Sequence, residues 1–208
     1  MNQEVIRPKL SHYGVVTGQL DDMKAWYGTV LGMTIVHESD HVFGEEVTLP
    51  FEIRACWVTN DEADHRIGLV GVQDMPRDHN ASAHSRYHHL AFEYADMNEL
   101  LDTYVRLKQE GIIPLLCADH GPTSSLYYSD PDRNIVELLT NNFGDWRKSK
   151  DFMRLSPEFA RKPMGEYFDP DKVVAARDAG ATPSEIHQRI YRGREWSPDQ
   201  PVNPRVIM

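Results

Sequence analysis

Apolar positions along the chain come in short runs whose period changes in a fixed order, and that order occurs twice. From Ser11 the sequence SHYGVVTGQLDDMKAWYGTVLGM opens with a short strand pattern and a turn. It continues into a helix-period stretch and reaches Gly32. From His88 the sequence HHLAFEYADMNELLDTYVRLKQEGI repeats the order and ends at Gly111. A histidine opens each strand, His12 in the first copy and His89 in the second. An Asp-Met pair begins each helix, Asp22-Met23 and Asp96-Met97, where carboxylates suit the positive end of the helix dipole. Glycine then stands where a helix should stop. Strand-like stretches follow in both copies: MTIVHES, EVTLPFEIRACWVT and HRIGLVGV, then IPLLCA, SSLYYSD and NIVELLT. The pattern predicts β-α-β-β-β twice, an α+β fold with modules at about 8–75 and 85–142 inside a domain of residues 5–146. Such a unit cannot bury both faces of its small sheet alone. The two are expected to pair into one curved mixed sheet, helices outside and a concave face inside.

From about Phe143 the composition shifts, and residues 147–208 read as a C-terminal extension. The stretch NNFGDWRKSKDFMRLSPEFARKPMGEYFDP, rich in aromatics, charge, Pro and Gly, reads as an irregular wrap. Asp169-Pro170 then caps a helix over KVVAARDAG, and Thr182-Pro183-Ser184-Glu185 forms a capping box ahead of IHQRIYRG. The last ten or so residues, with three prolines, read as an extended arm. The extension is expected to cover the domain or to meet a second subunit.

Composition narrows the functional classes. The 208 residues carry 22 Lys+Arg against 32 Asp+Glu, a net charge of −10, which argues against nucleic acid or an anionic membrane surface as partner. No apolar run approaches the roughly 20 residues that span a bilayer, and the polar start MNQEVIRPKL lacks a signal-peptide core. Cys56 and Cys117 make no disulfide framework, so a cytoplasmic location is expected.

Ten histidines make this the residue type to follow. In YHHLAFEY, His88, Leu90, Phe92 and Tyr94 share one strand face, and His89, Ala91 and Glu93 share the other. The apolar set must meet the helices, which leaves His89 on the concave side. The same reading places His12 with Gly14 and Val16. In NIVELL, Glu137 shares a face with Ile135 and Leu139. A glutamate inside an apolar strand is costly unless a cation or hydrogen bonds compensate it. Two imidazoles and a carboxylate on one concave surface make a 2-His-1-carboxylate set, suited to a divalent metal such as Fe(II) with coordination positions left open. Singly, each histidine is also compatible with an ordinary hydrogen-bonded role, and Glu137 with an arginine partner.

The motifs SHYGVVT, RYHHLAFEY and YYSDPDRNIVELL resemble those of the vicinal oxygen chelate superfamily, which contains glyoxalase I, antibiotic-resistance proteins, epimerases and type I extradiol dioxygenases. The resemblance covers roughly the first 146 residues. It implies metal ligands at His12, His89 and Glu137, the three that parity selects. Glyoxalase I and its relatives usually add a carboxylate at the end of the first module, but HRIGLVGV offers none. A three-ligand site leaves room for a bidentate diol and O2, so the resemblance points to single-domain extradiol dioxygenases. It further implies a substrate-binding tyrosine at Tyr127, ten positions before Glu137, an acid-base histidine at His65 and a substrate-side histidine at His120. The loop from His65 to His89 is longer than that pattern, and the interval from His120 to Tyr127 is shorter.

The implied activity is ring cleavage of a catechol-type aromatic diol by O2 at a non-haem Fe(II), with Mn(II) as the alternative ion. The implied assembly is a homo-oligomer. Trp57, Tyr128, Phe143 and Trp146 are candidates for a dry pocket wall, although they read as packing residues rather than substrate contacts. His37, His41, His79, His84 and His187 read as surface or tail residues. Two other classes remain open: a metal-dependent lyase or isomerase that needs no O2, and a non-catalytic small-molecule binding protein.

Overall fold

The repeated element order is what the chain builds. The computed structural model describes residues 6–40, 42–43, 47–78 and 84–207. Two units divide them: residues up to 78 together with Asp130–Asp132, and residues 84–129 together with 133–207.

The first unit contains β1 (Tyr13–Thr17), α1 (Leu20–Leu31), β2 (Thr34–Ser39), β3 (Ile53–Thr59) and β4 (Ile67–Val72). Its sheet runs β1-β4-β3-β2, with β1 parallel to β4 and the other pairs antiparallel. Leu20, Met23, Tyr27, Val30 and Leu31 recur at helical spacing and are all buried, because α1 packs on β3 and β4. Each such side chain stabilises the fold by about 1.5–3 kcal/mol. The helix stops at Gly32, whose φ of 64° is left-handed and whose N–H bonds the Tyr27 carbonyl. Gly71 is a close-approach position against α1: a Cβ there would sit 2.9 Å from the Leu20 Cβ.

The second unit repeats the plan with β5 (His89–Tyr94), α2 (Met97–Gln109), β6 (Leu116–Asp119), β7 (Thr123–Ser129) and β8 (Ile135–Asn141). Asp96 caps α2, its carboxylate accepting from Asn98 N at 2.8 Å and Glu99 N at 3.0 Å. The sheet runs β5-β8-β7-β6-β9, where β9 (Glu166–Tyr167) comes from the extension and pairs with the outer edge of β6. Among the described residues the strands therefore hydrogen-bond as two mixed sheets, one per module, rather than as a single continuous one.

The extension corrects two expectations. The stretch read as an irregular wrap holds α3 (Trp146–Leu155) and α4 (Pro157–Arg161) ahead of β9. Asp145 caps α3 through Arg147 N, and Ser156 caps α4 through Phe159 N with Pro157 in the first turn. α5 (Pro170–Asp178) and α6 (Pro183–Tyr191) follow where their caps place them. The segment read as an extended arm closes in a 3-10 turn, Pro204–Ile207, and Ile207 is buried. Ile207 packs with Leu116, Ala118, Tyr127 and Ile135, and Tyr167 and Val202 join from the side. These positions share the sheet face of Glu137, so within its own unit the extension covers that face. No helix among the described residues is long and apolar enough to cross a membrane.

Candidate functional site

Glu137 lies at the middle of β8, between β5 and β7, opposite Ala91 on one side and Tyr127 on the other. It is buried at 5% exposure and is held by both neighbouring strands. His89 Nε2 donates to one carboxylate oxygen at 2.9 Å, and the Tyr127 hydroxyl donates to the other at 2.9 Å. Burial works to raise the pKa of Glu137, but hydrogen bonds led by that of His89 outweigh it and the net shift is downward. The same bond to Glu137 raises the pKa of His89. Burial is also the main cause that pushes the Tyr127 phenol well above its ordinary range, so it stays a hydroxyl at neutral pH.

The cluster extends at both ends. His120 Nε2 lies 2.8 Å from the Tyr127 hydroxyl. At the other end His88 Nδ1 lies 2.6 Å from His89 Nδ1, the two rings nearly perpendicular at 83°. With Nε2 of His89 donating, Nδ1 of a neutral His89 accepts, and His88 supplies the proton. His89, Glu137, Tyr127 and His120 are thus brought into one hydrogen-bonded chain. Strand parity holds along β5, where Leu90, Phe92 and Tyr94 are half-buried and His89, Ala91 and Glu93 exposed, but His88, grouped with the apolar set, is exposed.

In the first unit the structure brings His12 and His65 together, ring centroids 4.1 Å apart and tilted by 36°. Both lie just outside their strands, before Tyr13 and before Ile67. Asp64 Oδ2 accepts from His65 Nδ1 at 2.8 Å, a bond that lowers the pKa of Asp64. Strand register identifies the counterpart of Glu137 in this module. In the second, His89 lies opposite Ile135 and Ala91 opposite Glu137. In the first, Tyr13 lies opposite Ile67 and Gly14 opposite Gly68. Gly68 stands where a second glutamate would be, with Trp57 as its nearest side chain.

Among the described residues, no group of three or more His, Cys, Asp or Glu side chains is arranged to hold a metal ion. His12 belongs to the first unit, His89 and Glu137 to the second. The remaining candidates divide. Tyr128 is fully buried, Trp57 stacks on His37, Phe143 packs on Phe152 and His187, and Trp146 Nε1 donates to Glu93 at 3.2 Å. Tyr128 and Phe143 are packing residues. His41 and His79 lie outside the described residues. His187 is tied into the fold rather than solvated: its Nδ1 lies 2.8 Å from the fully buried Asp119, and its ring stacks on Tyr191.

Sequence reading missed three partners. Asp64 is the neighbour that orients His65, legible only as an Asp-His dipeptide. Asp119 and His187 pair from β6 to α6, and nothing in the intervening sequence signals it. The third is the Met164 carbonyl, 3.0 Å from His120 Nδ1, a backbone group without a side-chain signature.

Comparisons with known proteins agree with this architecture. Residues 9–138 match the family model described as Glyoxalase/Bleomycin resistance protein/Dioxygenase superfamily. The chain is 34% identical to biphenyl-2,3-diol 1,2-dioxygenase 2 of Rhodococcus globerulus over 201 residues, 97% of both chains. It is 33% identical to biphenyl-2,3-diol 1,2-dioxygenase 3 of the same organism over 186 residues, 89% of this chain and 90% of that one. Among solved structures, a glyoxylase/bleomycin resistance protein/dioxygenase domain from Frankia sp. EAN1pec superposes with a TM-score of 0.51 at 16% identity. It covers 65% of this chain and 93% of its own.

Proposed function

Because the chain belongs to the glyoxalase/bleomycin resistance protein/dioxygenase superfamily, we propose that it is a ring-cleaving dioxygenase of the extradiol type. Its substrate is a catechol-type aromatic diol, opened with O2 at a non-haem Fe(II). The observation that carries this reading is the buried Glu137, bound at once by His89 and Tyr127. It occurs in a chain whose near-full-length relatives are named as biphenyl-2,3-diol dioxygenases.

The donor chemistry of His89 and Glu137 suits such an ion. His89 Nε2 and Glu137 Oε2 are 2.9 Å apart. A buried carboxylate kept ionised is what a divalent cation needs, and the proton now between the pair is what it would replace. His89 and Glu137 would hold the ion with His12 as the third ligand; imidazole and carboxylate suit Fe(II), with Mn(II) the alternative. When bound, the ion would draw protons off the diol oxygens and let electrons pass between ring and O2.

The protein's own residues account for the proton traffic. Asp64 accepts from His65 Nδ1, which leaves Nε2 of the neutral ring as its basic atom. His65 Nε2 takes a proton from the diol and returns it as the ring opens. Tyr127, kept protonated by its burial, offers a hydroxyl that orients a substrate oxygen without ionising. His120 Nε2, 2.8 Å from that hydroxyl, helps to hold it in place for this role. Overall one diol and one O2 give one ring-opened product containing both oxygen atoms, so no external reductant enters.

Anaerobic loading of the full chain with Fe(II), followed by oxygen-electrode measurements across a panel of catechols that includes 2,3-dihydroxybiphenyl, tests the reading. Uptake of one O2 per diol, with the yellow absorbance of a ring-opened product, is expected. Iron-loaded protein that consumes no oxygen with any diol, yet isomerises or cleaves a substrate anaerobically, would overturn it.

A further inference from the structure

The His120 ring is held at both nitrogens, and one of the two holders belongs to the extension. Nδ1 lies 3.0 Å from the Met164 carbonyl oxygen, and Nε2 lies 2.8 Å from the Tyr127 hydroxyl. A carbonyl oxygen only accepts, so Nδ1 carries a proton. In the neutral ring Nε2 then holds the one available lone pair, and it faces the hydroxyl. That hydroxyl has a single proton and two acceptors in reach, so it donates either to Glu137 Oε1 at 2.9 Å or to His120 Nε2 at 2.8 Å, one at a time. The opposite tautomer would set a lone pair of Nδ1 against the carbonyl and remove one of the two acceptors.

We propose that the C-terminal extension is a working part of the candidate site, because the Met164 carbonyl fixes the tautomer of His120 and so presents an acceptor Nε2 to Tyr127. The catalytic consequence rests on the dioxygenase reading; the tautomer itself does not.

The carbonyl is pinned on both sides. Gly165 follows it with φ of 64°, and a Cβ on Gly165 would fall 1.8 Å from the Asp119 carbonyl oxygen and 2.7 Å from the His120 Cα. The extension therefore runs against the main chain of Asp119-His120 at a distance only glycine allows. Immediately beyond, Glu166 and Tyr167 pair with Asp119 and Ala118. The turn closes on itself through Gly165 N donating to the Lys162 carbonyl at 2.9 Å.

The partner strand is equally fixed. The Asp119 carboxylate accepts from Gly121 N at 2.8 Å and Ser124 Oγ at 3.1 Å, and lies 2.8 Å from His187 Nδ1 on α6. His120 N donates to the Thr123 carbonyl at 2.8 Å. A loop histidine in water exchanges tautomers freely. Here β9 and α6 hold the backbone on either side of the ring, and the carbonyl selects one form. The Tyr127 hydroxyl then finds its acceptor in place, with no ring rearrangement. His120 touches the Tyr127 hydroxyl. Met164, Gly165 and His187 act through it and are positioning residues.

The test reads the tautomer directly. Two-bond couplings between ring nitrogens and carbon-bound protons are recorded on the 15N-labelled full chain, kept free of paramagnetic ions. The His120 signal is assigned by its loss in His120→Asn. The wild type is expected to show a protonated Nδ1 and an unprotonated Nε2. In Gly165→Ala, where the new methyl drives Met164 away, the signal should move toward an exchanging mixture. Asp171→Ala, which loosens the extension at α5 instead, should leave it unchanged. For the iron-loaded enzyme, kcat of Gly165→Ala should fall about ten-fold with metal content intact, the scale of losing an outer-shell partner. A wild-type His120 protonated on Nε2, or a Gly165→Ala spectrum identical to wild type, would overturn the proposal. The first reading does not depend on the folding of Gly165→Ala. The expected tautomer pattern supports the clamp even in a protein that consumes no oxygen with any diol, a result that would sink only the dioxygenase reading.

Discussion

Glu137 accepts hydrogen bonds from two strands while lying among apolar neighbours, and its removal should be felt by everything attached to it. Glu137→Ala should lose bound iron and oxygen uptake together, measured as metal per chain and initial rate. It takes away a proposed ligand and leaves His89 and Tyr127 without their acceptor. His65→Ala should behave differently, keeping its iron while kcat falls about 100-fold or more, the usual worth of a positioned acid-base group. Normal turnover in His65→Ala would remove His65 from the mechanism. Strand parity alone led to His89 and Glu137, since a histidine opposite an apolar face and an acid in an apolar strand are visible as pattern. Tyr127, His65 and His120 came from resemblance of motif. Their partners were out of reach because a main-chain carbonyl such as that of Met164 leaves no residue-type trace. Asp64 and Asp119, each beside a histidine, look like any loop acid until the chain is folded.

At the scale of elements, caps and breakers decided more than periodicity. Asp96 supplies acceptors for two orphan N–H groups of α2. Asp96→Ala should therefore cost about 1 kcal/mol, read as a lowered urea midpoint with unchanged slope. The extension shows the same logic missed. Ser156-Pro157 carries the cap-and-proline signature that identified α5 and α6 at Asp169-Pro170 and Thr182-Pro183. It went unread because aromatic and charged residues around it hid the short helices on either side. The modules were legible because their order repeats, and their difference is informative. Register sets Gly68 opposite Gly14 where the second module sets Glu137 opposite Ala91. The lack of an acid in HRIGLVGV is thus a structural substitution at one site.

For the whole molecule, the extension is part of the second unit rather than an appendage. Its Ile207 sits in the same apolar cluster as Leu116, Ala118, Tyr127 and Ile135. Truncation after residue 146 should leave an aggregation-prone chain that binds an exposed-hydrophobe dye, not an independently stable domain. The docking of α5 on α2 is electrostatic as well. Asp171 accepts from Lys108 Nζ at 2.5 Å and from the Tyr104 hydroxyl at 2.8 Å, and the bond to Lys108 leads the causes that lower its pKa. A carboxylate depressed on folding contributes stability above its unfolded pKa and loses it as pH falls through the folded value. Melting temperature should therefore drop on acidification from about pH 5 to 3, with a shallower slope in Asp171→Asn.

The burial of Ile207 against β6 and β7 also sets a timetable for biosynthesis. Translation at about 5–20 residues per second leaves the strand bearing Tyr127 waiting several seconds for its lid to be made. During that interval the apolar face around Glu137 is bare on the nascent chain, where chaperones have their opening.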